Sequence, residues 1–171
     1  CDAYFYAGKT HSLAEKIAKV LTQLPSVEQT VVIDYTGQAG TMAAELPKAK
    51  TLDAFRAGES EAPIAFAQMP FDHPLYILYS SGTTGIPKCI VHRAGGILLK
   101  HLCEIVLNSD VKPGDRLFYF TTCGWMMWNW LVSGLAAGAT LLLYDGSPFH
   151  PNERALFDFA DAADMTVFGT S

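Results

Sequence analysis

Short β-like runs alternate with segments of helical periodicity along the second half of the chain, and this alternation constrains the fold more than any other feature. The pattern predicts strands at residues 75–79, 116–121 and 165–168, and helices at 94–107 and from about 153 to 163. Strands that alternate with helices at this spacing are typical of a mostly parallel sheet with helices on both faces. We therefore predict an α/β fold.

The first third of the chain fits the same fold class. Ser12 and Glu15 have the spacing of a capping box and precede apolar residues at helical spacing, which predicts a helix over residues 13–24. A β-branched run predicts a strand over residues 30–35. Before the second half begins, the only further element expected is a short helix near residues 52–55.

Charge and composition exclude one class of partner. Only 17% of the 171 residues are charged, the net charge is −5, and basic residues do not cluster. A nucleic-acid-binding protein needs a basic surface to neutralise phosphates, so we predict no nucleic-acid partner.

One long region carries no formal charge, and it raises the question of a membrane span. Twenty-eight residues separate Arg116 from Asp145, and Gly134 and Gly138 have the spacing of packed membrane helices. Polar residues interrupt the run, however, and its two ends have strand character. A helix of about ten residues followed by a strand fits the pattern better, so we predict a buried part of the core and no span.

The four cysteines lie far apart and form no CxxC pair. This usage is typical of a reducing compartment, and we predict a cytoplasmic protein. Cys89 and His92 have a spacing found in metal sites, but no second pair accompanies them. We predict no metal bound by this part of the protein.

The stretch YSSGTTGIPKC, residues 79–89, follows the apolar run LYIL and concentrates small hydrogen-bond donors. Its candidate ligands are two glycines, four hydroxyl side chains and one lysine: Gly82, Gly85, Ser80, Ser81, Thr83, Thr84 and Lys88. Glycines allow the backbone to approach an anion, and the strand end with a following helix N-terminus favours negative charge. The stretch therefore predicts a phosphate site, although an ordinary turn between a strand and a helix is the simpler alternative.

Two common phosphate motifs do not match this stretch. A Walker A loop would need glycine and a hydroxyl residue where Pro87 and Cys89 stand. The dinucleotide pattern GxGxxG is present only as its GxxG part.

The stretch YSSGTTGIPK instead resembles the phosphate-binding signature of the adenylate-forming enzymes, which include acyl-CoA synthetases, luciferases and nonribosomal peptide adenylation domains. This resemblance implies that a carboxylate attacks the α-phosphate of Mg-ATP and that the acyl group then passes to a thiol. It also implies that the seven candidate ligands named above, from Ser80 to Lys88, hold the β- and γ-phosphates. The family pattern ends in PKG, whereas Cys89 follows Lys88 here, a difference that affects loop flexibility more than charge.

Further stretches narrow the resemblance. KCIVHRAGGILL, KPGDRLFYFTTCGWMMWNWLVSGLAAGATLLLYDGSP and the terminal FGTS are similar to the acetoacetyl-CoA synthetases within that family. This similarity implies acetoacetate, ATP and CoA as substrates, with Mg²⁺, and places Trp125 near the acyl pocket. Met127 stands where related acetyl-CoA synthetases have a threonine that contacts CoA, so that contact is not expected here. For His92 we predict a structural role.

The resemblance implies that residues 1–171 are an internal part of a large N-terminal AMP-binding domain. The chain starts at Cys1 and stops directly after a β-like run. We expect the magnesium and ribose ligands and the small C-terminal domain to lie outside it, and we expect these residues alone not to turn over. Three alternatives stay open: an acetyl- or propionyl-CoA synthetase, a non-catalytic nucleotide- or phosphate-binding module, and a membrane-anchored protein.

Overall fold

The computed structural model describes residues 1–59, 61–80 and 85–170. Four residues of the predicted phosphate site lie outside the described residues: Ser81, Gly82, Thr83 and Thr84. The chain divides into two compact units. The first comprises Cys1–Ile64 and Asp145–Leu156, and the second comprises Ala65–Tyr144 and Phe157–Ser171.

The first unit contains two pairs of strands and three helices. Its elements in chain order are β1 (Ala3–Tyr6), β2 (Lys9–Ser12), α1 (Ala14–Gln23), β3 (Thr30–Val32), α2 (Ala39–Glu45), β4 (Ala49–Thr51) and α3 (Leu52–Arg56). Strands β1 and β2 form an antiparallel hairpin, whereas β3 and β4 are parallel. The hairpin turns at Ala7 and Gly8, whose φ angles are 49° and 75°, a left-handed pair that suits a two-residue connection.

The core of the first unit confirms the predicted apolar stripe of α1. Val32, Ala39, Met42 and Leu46 are buried together, and α1 packs against them with the side chains that the helical spacing singled out. These side chains are those of Leu13, Ile17 and Leu21. A stripe that recurs every three or four residues therefore does position the helix on the sheet.

Two details of the first unit differ from the sequence prediction. The Ser12 hydroxyl accepts from the amide of Ala14 at 3.3 Å, at the very start of α1, so the expected capping box is wrong. Strand β3 ends at Val32 and not at residue 35, because the Asp2 carboxylate accepts from the amides of Tyr35 at 3.1 Å and Gln38 at 2.8 Å. Those amides therefore cannot form the backbone hydrogen bonds that would extend the strand.

The second unit holds the remaining elements. In chain order these are β5 (Pro74–Ser80), β6 (Lys88–Arg93), α4 (Ala94–Leu102), β7 (Arg116–Tyr119), α5 (Met126–Ser133), β8 (Thr140–Leu142), most of α6 (Ala155–Ala162) and β9 (Val167–Gly169). A π-helical stretch, Cys103–Asn108, extends α4, and a 3₁₀ turn, Gly134–Ala137, extends α5.

The three-stranded parallel sheet of this unit has the order β8-β7-β9 and carries helices on both faces. Leu117 of β7 is fully buried in a cluster with Leu131 of α5. The next residue, Phe118, points to the opposite face and meets the ring of Phe159 in α6 with centroids 5.7 Å apart. This arrangement confirms the predicted α/β class with parallel strands between helices.

The segment after β5 does not lead directly into a helix, and here the sequence prediction is wrong. Strand β6 intervenes and pairs antiparallel with β5, from Ser80 opposite Lys88 to Pro74 opposite Arg93. Among the described strands, two sheets are parallel and two are antiparallel hairpins.

The uncharged region forms β7, α5, the 3₁₀ turn and β8, as a buried part of the second unit. Gly134 lies where a Cβ atom would come within 2.6 Å of Leu117 Cδ2, so the glycine allows close packing on the sheet. Gly138 ends the turn with a φ of 76°. In the described parts of the chain, each helix is too short or too polar to cross a bilayer.

Candidate functional site

The described ends of the predicted phosphate site lie at the end of the β5–β6 hairpin where residues 81–87 connect the two strands. Ser80 and Lys88 are directly opposite each other as its last pair. Gly85 has a φ of 91°, and a Cβ built there would meet nothing within 4 Å. The side chains of Ile86 and Lys88 are exposed. The described part of the site is therefore open to a ligand and contains a backbone geometry that favours glycine.

The N-terminus of α4 does not contribute to this site, in contrast to the expectation for a strand followed by a helix. The helix begins at Ala94, six residues beyond Lys88, and an intervening strand of that length spans about 20 Å. The first amides of α4 are also occupied, since Ala94 donates to the carbonyl of His73 and Gly95 to that of Phe71, both at 2.9 Å. The amides of Ala94 and Gly95 are therefore not available to an anion.

A cavity of about 490 Å³ lies at the other end of β6, between that strand, α4 and α5. Its volume falls in the range typical of small-molecule sites. Its lining consists of four hydrophobic and four titratable side chains: Ile97, Met126, Met127, Trp130, His92, Lys100, His101 and Glu104. Lys100 and Glu104 form an ion pair one helical turn apart, so their charges compensate each other. The other two titratable groups of the lining are the histidines.

His101 is the most buried polar group of the cavity, with only 4% of its surface exposed. Its Nδ1 lies 2.8 Å from the Ser133 hydroxyl oxygen, which lies 3.0 Å from the Asn129 carbonyl. A carbonyl only accepts, so the serine hydroxyl donates to Asn129 and accepts from His101 Nδ1–H. This relay fixes the tautomer of the ring.

Burial lowers the pKa of His101, and the positive charge that His92 can carry lowers it further, against a smaller opposite effect of the Glu104 carboxylate. The ring is therefore neutral at physiological pH. With Nδ1 protonated, Nε2 is a hydrogen-bond acceptor on a side chain that lines the cavity.

Trp125, the residue predicted near an acyl pocket, lies at the N-terminal boundary of α5 and is 68% exposed. Its amide donates to the Thr122 carbonyl at 3.0 Å, which orients the start of the helix. The next two residues, Met126 and Met127, are the ones that line the cavity. The role of Trp125 stays a prediction.

His92 has two contacts of note. Its ring packs against that of Tyr76 with centroids 5.3 Å apart, and its side chain also lines the cavity. The neighbouring Cys89 lies three residues earlier on the same strand, so the two side chains point to opposite faces of the hairpin. Among the residues that the structure describes, no three His, Cys, Asp or Glu side chains are close enough together to hold a metal ion.

No local sequence pattern marked His101, Met126 and Trp130 as cavity residues. A weak signal was available, because Ile97 and His101 of α4 share one face at helical spacing, as Met126 and Trp130 do on α5. Nothing in the sequence showed that these two faces meet across a cavity.

Comparison with known proteins adds a second line of observation. The profile of a family described as "AMP-binding enzyme" matches residues 1–171. The acetoacetyl-coenzyme A synthetase of Rhizobium meliloti (strain 1021) is 54% identical over 171 residues, which is 100% of this chain and 26% of that protein. A malonamoyl-CoA synthetase of Penicillium aethiopicum is 44% identical over 185 residues, covering 99% of the chain and 26% of that protein.

One solved structure gives the same picture in three dimensions. The acetoacetyl-CoA synthetase from Streptomyces lividans superimposes with a TM-score of 0.89 at 44% sequence identity, covering 99% of this chain and 25% of that one. The chain thus spans about a quarter of the length of the relatives it matches.

Proposed function

The chain belongs to the family of AMP-binding enzymes, and from that premise we propose that it is the part of an acid–thiol ligase that holds the phosphates of ATP and one wall of the acyl site. In the full-length protein, the carboxylate of acetoacetate attacks the α-phosphorus of ATP. The α–β phosphoanhydride bond breaks, pyrophosphate leaves, and an acyl-adenylate forms. The thiol of CoA then attacks the acyl carbon and releases AMP.

The observation that carries this proposal is the placement of two features at opposite ends of strand β6. Lys88 and its partner Ser80, which flank the glycine- and hydroxyl-rich segment in the sequence, stand at one end, and the cavity begins at His92 near the other end. Four residues of extended chain separate them by about 13 Å. ATP and the acid that attacks its α-phosphorus together have an extended shape of this kind, with the phosphate tail at one end and the small acyl group at the other.

The phosphate segment has the chemistry that the first step needs. A carboxylate is a poor electrophile, and its conversion to an adenylate supplies a leaving group. Negative charge grows on the pyrophosphate as the α–β bond breaks, and fixed amide, hydroxyl and ammonium donors stabilise it there. We assign this role to the seven residues named above, from Ser80 to Lys88, and a place at the acyl wall to Trp125.

The acid is best supported as acetoacetate, because the Rhizobium and Streptomyces proteins are both acetoacetyl-CoA synthetases. A second candidate is malonamate, which the Penicillium relative favours and which also has a polar group at the β-carbon. Acetate and propionate, the alternatives within the enzyme class, lack such a group.

Magnesium is expected to accompany ATP, but the described residues do not provide a site for it. Among the described residues no three His, Cys, Asp or Glu side chains are grouped. We propose that the protein ligands of Mg²⁺ lie in the rest of the full-length protein. We derive no step through the metal. A cytoplasmic location is part of the same proposal and is supported by four cysteines that are all free thiols.

The chain alone is expected to be inactive. Apolar side chains on both strands of the β5–β6 hairpin are half exposed or more, including Leu75, Ile77, Tyr79 and Val91. Patches of this kind mark surfaces that contact other protein. We propose that the rest of the full-length protein covers this hairpin and completes the site.

The test is acid-dependent exchange of labelled pyrophosphate into ATP, measured on the full-length protein with acetoacetate, malonamate, acetate and propionate. We expect exchange with acetoacetate to exceed exchange with acetate clearly. Equal exchange with both would refute the substrate, and no exchange with any acid would favour a non-catalytic phosphate-binding module.

A further inference from the structure

His101 lines the cavity, and the hydrogen bond of its Nδ1 to Ser133 fixes the tautomer of the ring. A neutral imidazole with its hydrogen on Nδ1 offers Nε2 to a ligand as a hydrogen-bond acceptor. The available atom is Nε2, since the hydrogen on Nδ1 is committed to Ser133.

We propose that His101 is a specificity-determining residue, whose Nε2 accepts a hydrogen bond from the group at the β-carbon of the bound acid. This inference rests on the proposed function. A β-hydroxyl or β-amide group donates to Nε2 directly. A β-keto oxygen cannot donate, and it is bound through one water molecule that donates to both the ketone and Nε2.

The cavity has room for this arrangement. A volume of about 490 Å³ accommodates a four-carbon acid with ordered water beside it, because one water molecule occupies roughly 30 Å³. Ile97, Met126 and Met127 of the lining provide no strong hydrogen bond to the β-substituent. An acid with a plain methylene at this position offers no hydrogen bond to that water or to Nε2, so the complex loses one hydrogen bond.

The relay through Ser133 matters because it determines what Nε2 can do. If Ser133 did not accept from Nδ1, the ring could carry its hydrogen on either nitrogen and could donate to a ketone directly. Ser133 itself does not line this cavity. A change at Ser133 therefore alters the tautomer without altering the lining.

The experiment compares three acids of equal length, acetoacetate, 3-hydroxybutyrate and butyrate, in pyrophosphate exchange by the full-length protein. For the wild type we expect kcat/KM for the two β-polar acids to exceed that for butyrate by about tenfold or more. His101→Leu should reduce this ratio towards one, mainly through better use of butyrate. His101→Gln, whose amide reaches the position of Nε2, should retain part of the preference.

Two further variants separate recognition from a merely structural role. Ser133→Ala should change the ratio of kcat/KM between acetoacetate and 3-hydroxybutyrate in favour of the ketone. This variant still tests the inference if His101→Leu fails to fold. His11→Leu, on the hairpin of the other unit, should leave all ratios unchanged. The inference is overturned if His101→Leu lowers exchange equally for all three acids, or if Ser133→Ala leaves the ratios as in the wild type. Absence of exchange with every acid in the wild type would overturn the proposed function as well.

Discussion

Ser80 and Lys88 are partners across the end of the β5–β6 hairpin, so the segment rich in glycine and hydroxyl groups starts and finishes at one point on the sheet. The strand pairing holds Ser80 and Lys88 side by side. Donors that are in place before a ligand arrives stabilise charge without reorganisation during the reaction. The hairpin, and not the N-terminus of a helix, is therefore the structural basis of the proposed phosphate site.

Replacement of Lys88 by alanine should weaken the use of ATP. A charge-assisted hydrogen bond to phosphate contributes about 1.5–3 kcal/mol, so pyrophosphate exchange should fall by roughly tenfold to a hundredfold. Lys50→Ala, which removes an exposed lysine from β4 in the other unit, is the matched control and should retain wild-type exchange. Equal rates for the two variants would contradict the role of Lys88.

Gly85→Val tests the backbone of the same segment. Gly85 has a φ of 91°, which a β-branched residue adopts only with a strain of order 1–3 kcal/mol, although there is open space around it. Gly58 has the same φ and is equally open, so Gly58→Val introduces matched strain away from the site. We expect exchange to fall at least tenfold for Gly85→Val alone, with both variants folded by circular dichroism.

The sequence was sufficient to predict the fold class and most helices, because apolar periodicity directly reflects packing on a sheet. It did not predict strand β6, although Ile90 and Val91 are typical strand residues, because the adjacent phosphate motif suggested a turn into a helix. Strands β1 and β2 were also missed. Their alternation is short, and the turn between them uses Ala7 in a left-handed conformation that sequence rules assign to glycine or asparagine.

The candidate site was only partly predictable for a different reason. Ser80, Gly85 and Lys88 are contiguous in sequence, so a local motif identified them. His101 and Ser133 are 32 residues apart and meet only because α4 packs against α5. Such long-range contacts leave no local pattern, and only the structure brings them together.

Asp2→Asn should destabilise the first unit in a pH-dependent way. The buried carboxylate accepts from Gln38, Thr36 and Tyr35, and although burial alone raises the pKa of Asp2, these hydrogen bonds lower it far below the ordinary value of 3.8. A lowered folded-state pKa contributes stability above pH 3.8 that is lost as the pH falls below it.

The measurement is protection of residues 35–38 against hydrogen exchange, corrected for intrinsic rates, in wild type and variant. The difference between the two should be constant from pH 7 to 5 and shrink below about pH 3.8. Asp53→Asn, an exposed carboxylate at the start of α3, should show little difference at any pH. A difference for Asp2→Asn that did not change with pH would argue against this account.

Gly134→Ala should destabilise the second unit through overpacking. The new methyl group would lie 2.6 Å from Leu117 Cδ2 and 3.1 Å from Leu141 Cδ2, and Leu117 is fully buried. We expect a loss of about 1–3 kcal/mol in the free energy of unfolding. Gly96→Ala in α4 meets nothing within 4 Å and should be neutral or stabilising by up to about 1 kcal/mol. Thermal unfolding of both variants checks this, and an equal Tm for the two would count against the packing argument.

The most direct test of the proposed phosphate site is a crystal structure of the full-length protein with ATP. We predict that the β- and γ-phosphate oxygens lie about 2.7–3.2 Å from main-chain amides between Ser80 and Lys88 and from the Lys88 ammonium group. A triphosphate bound elsewhere, or a hairpin segment covered by neighbouring protein with no space for an anion, would contradict the account.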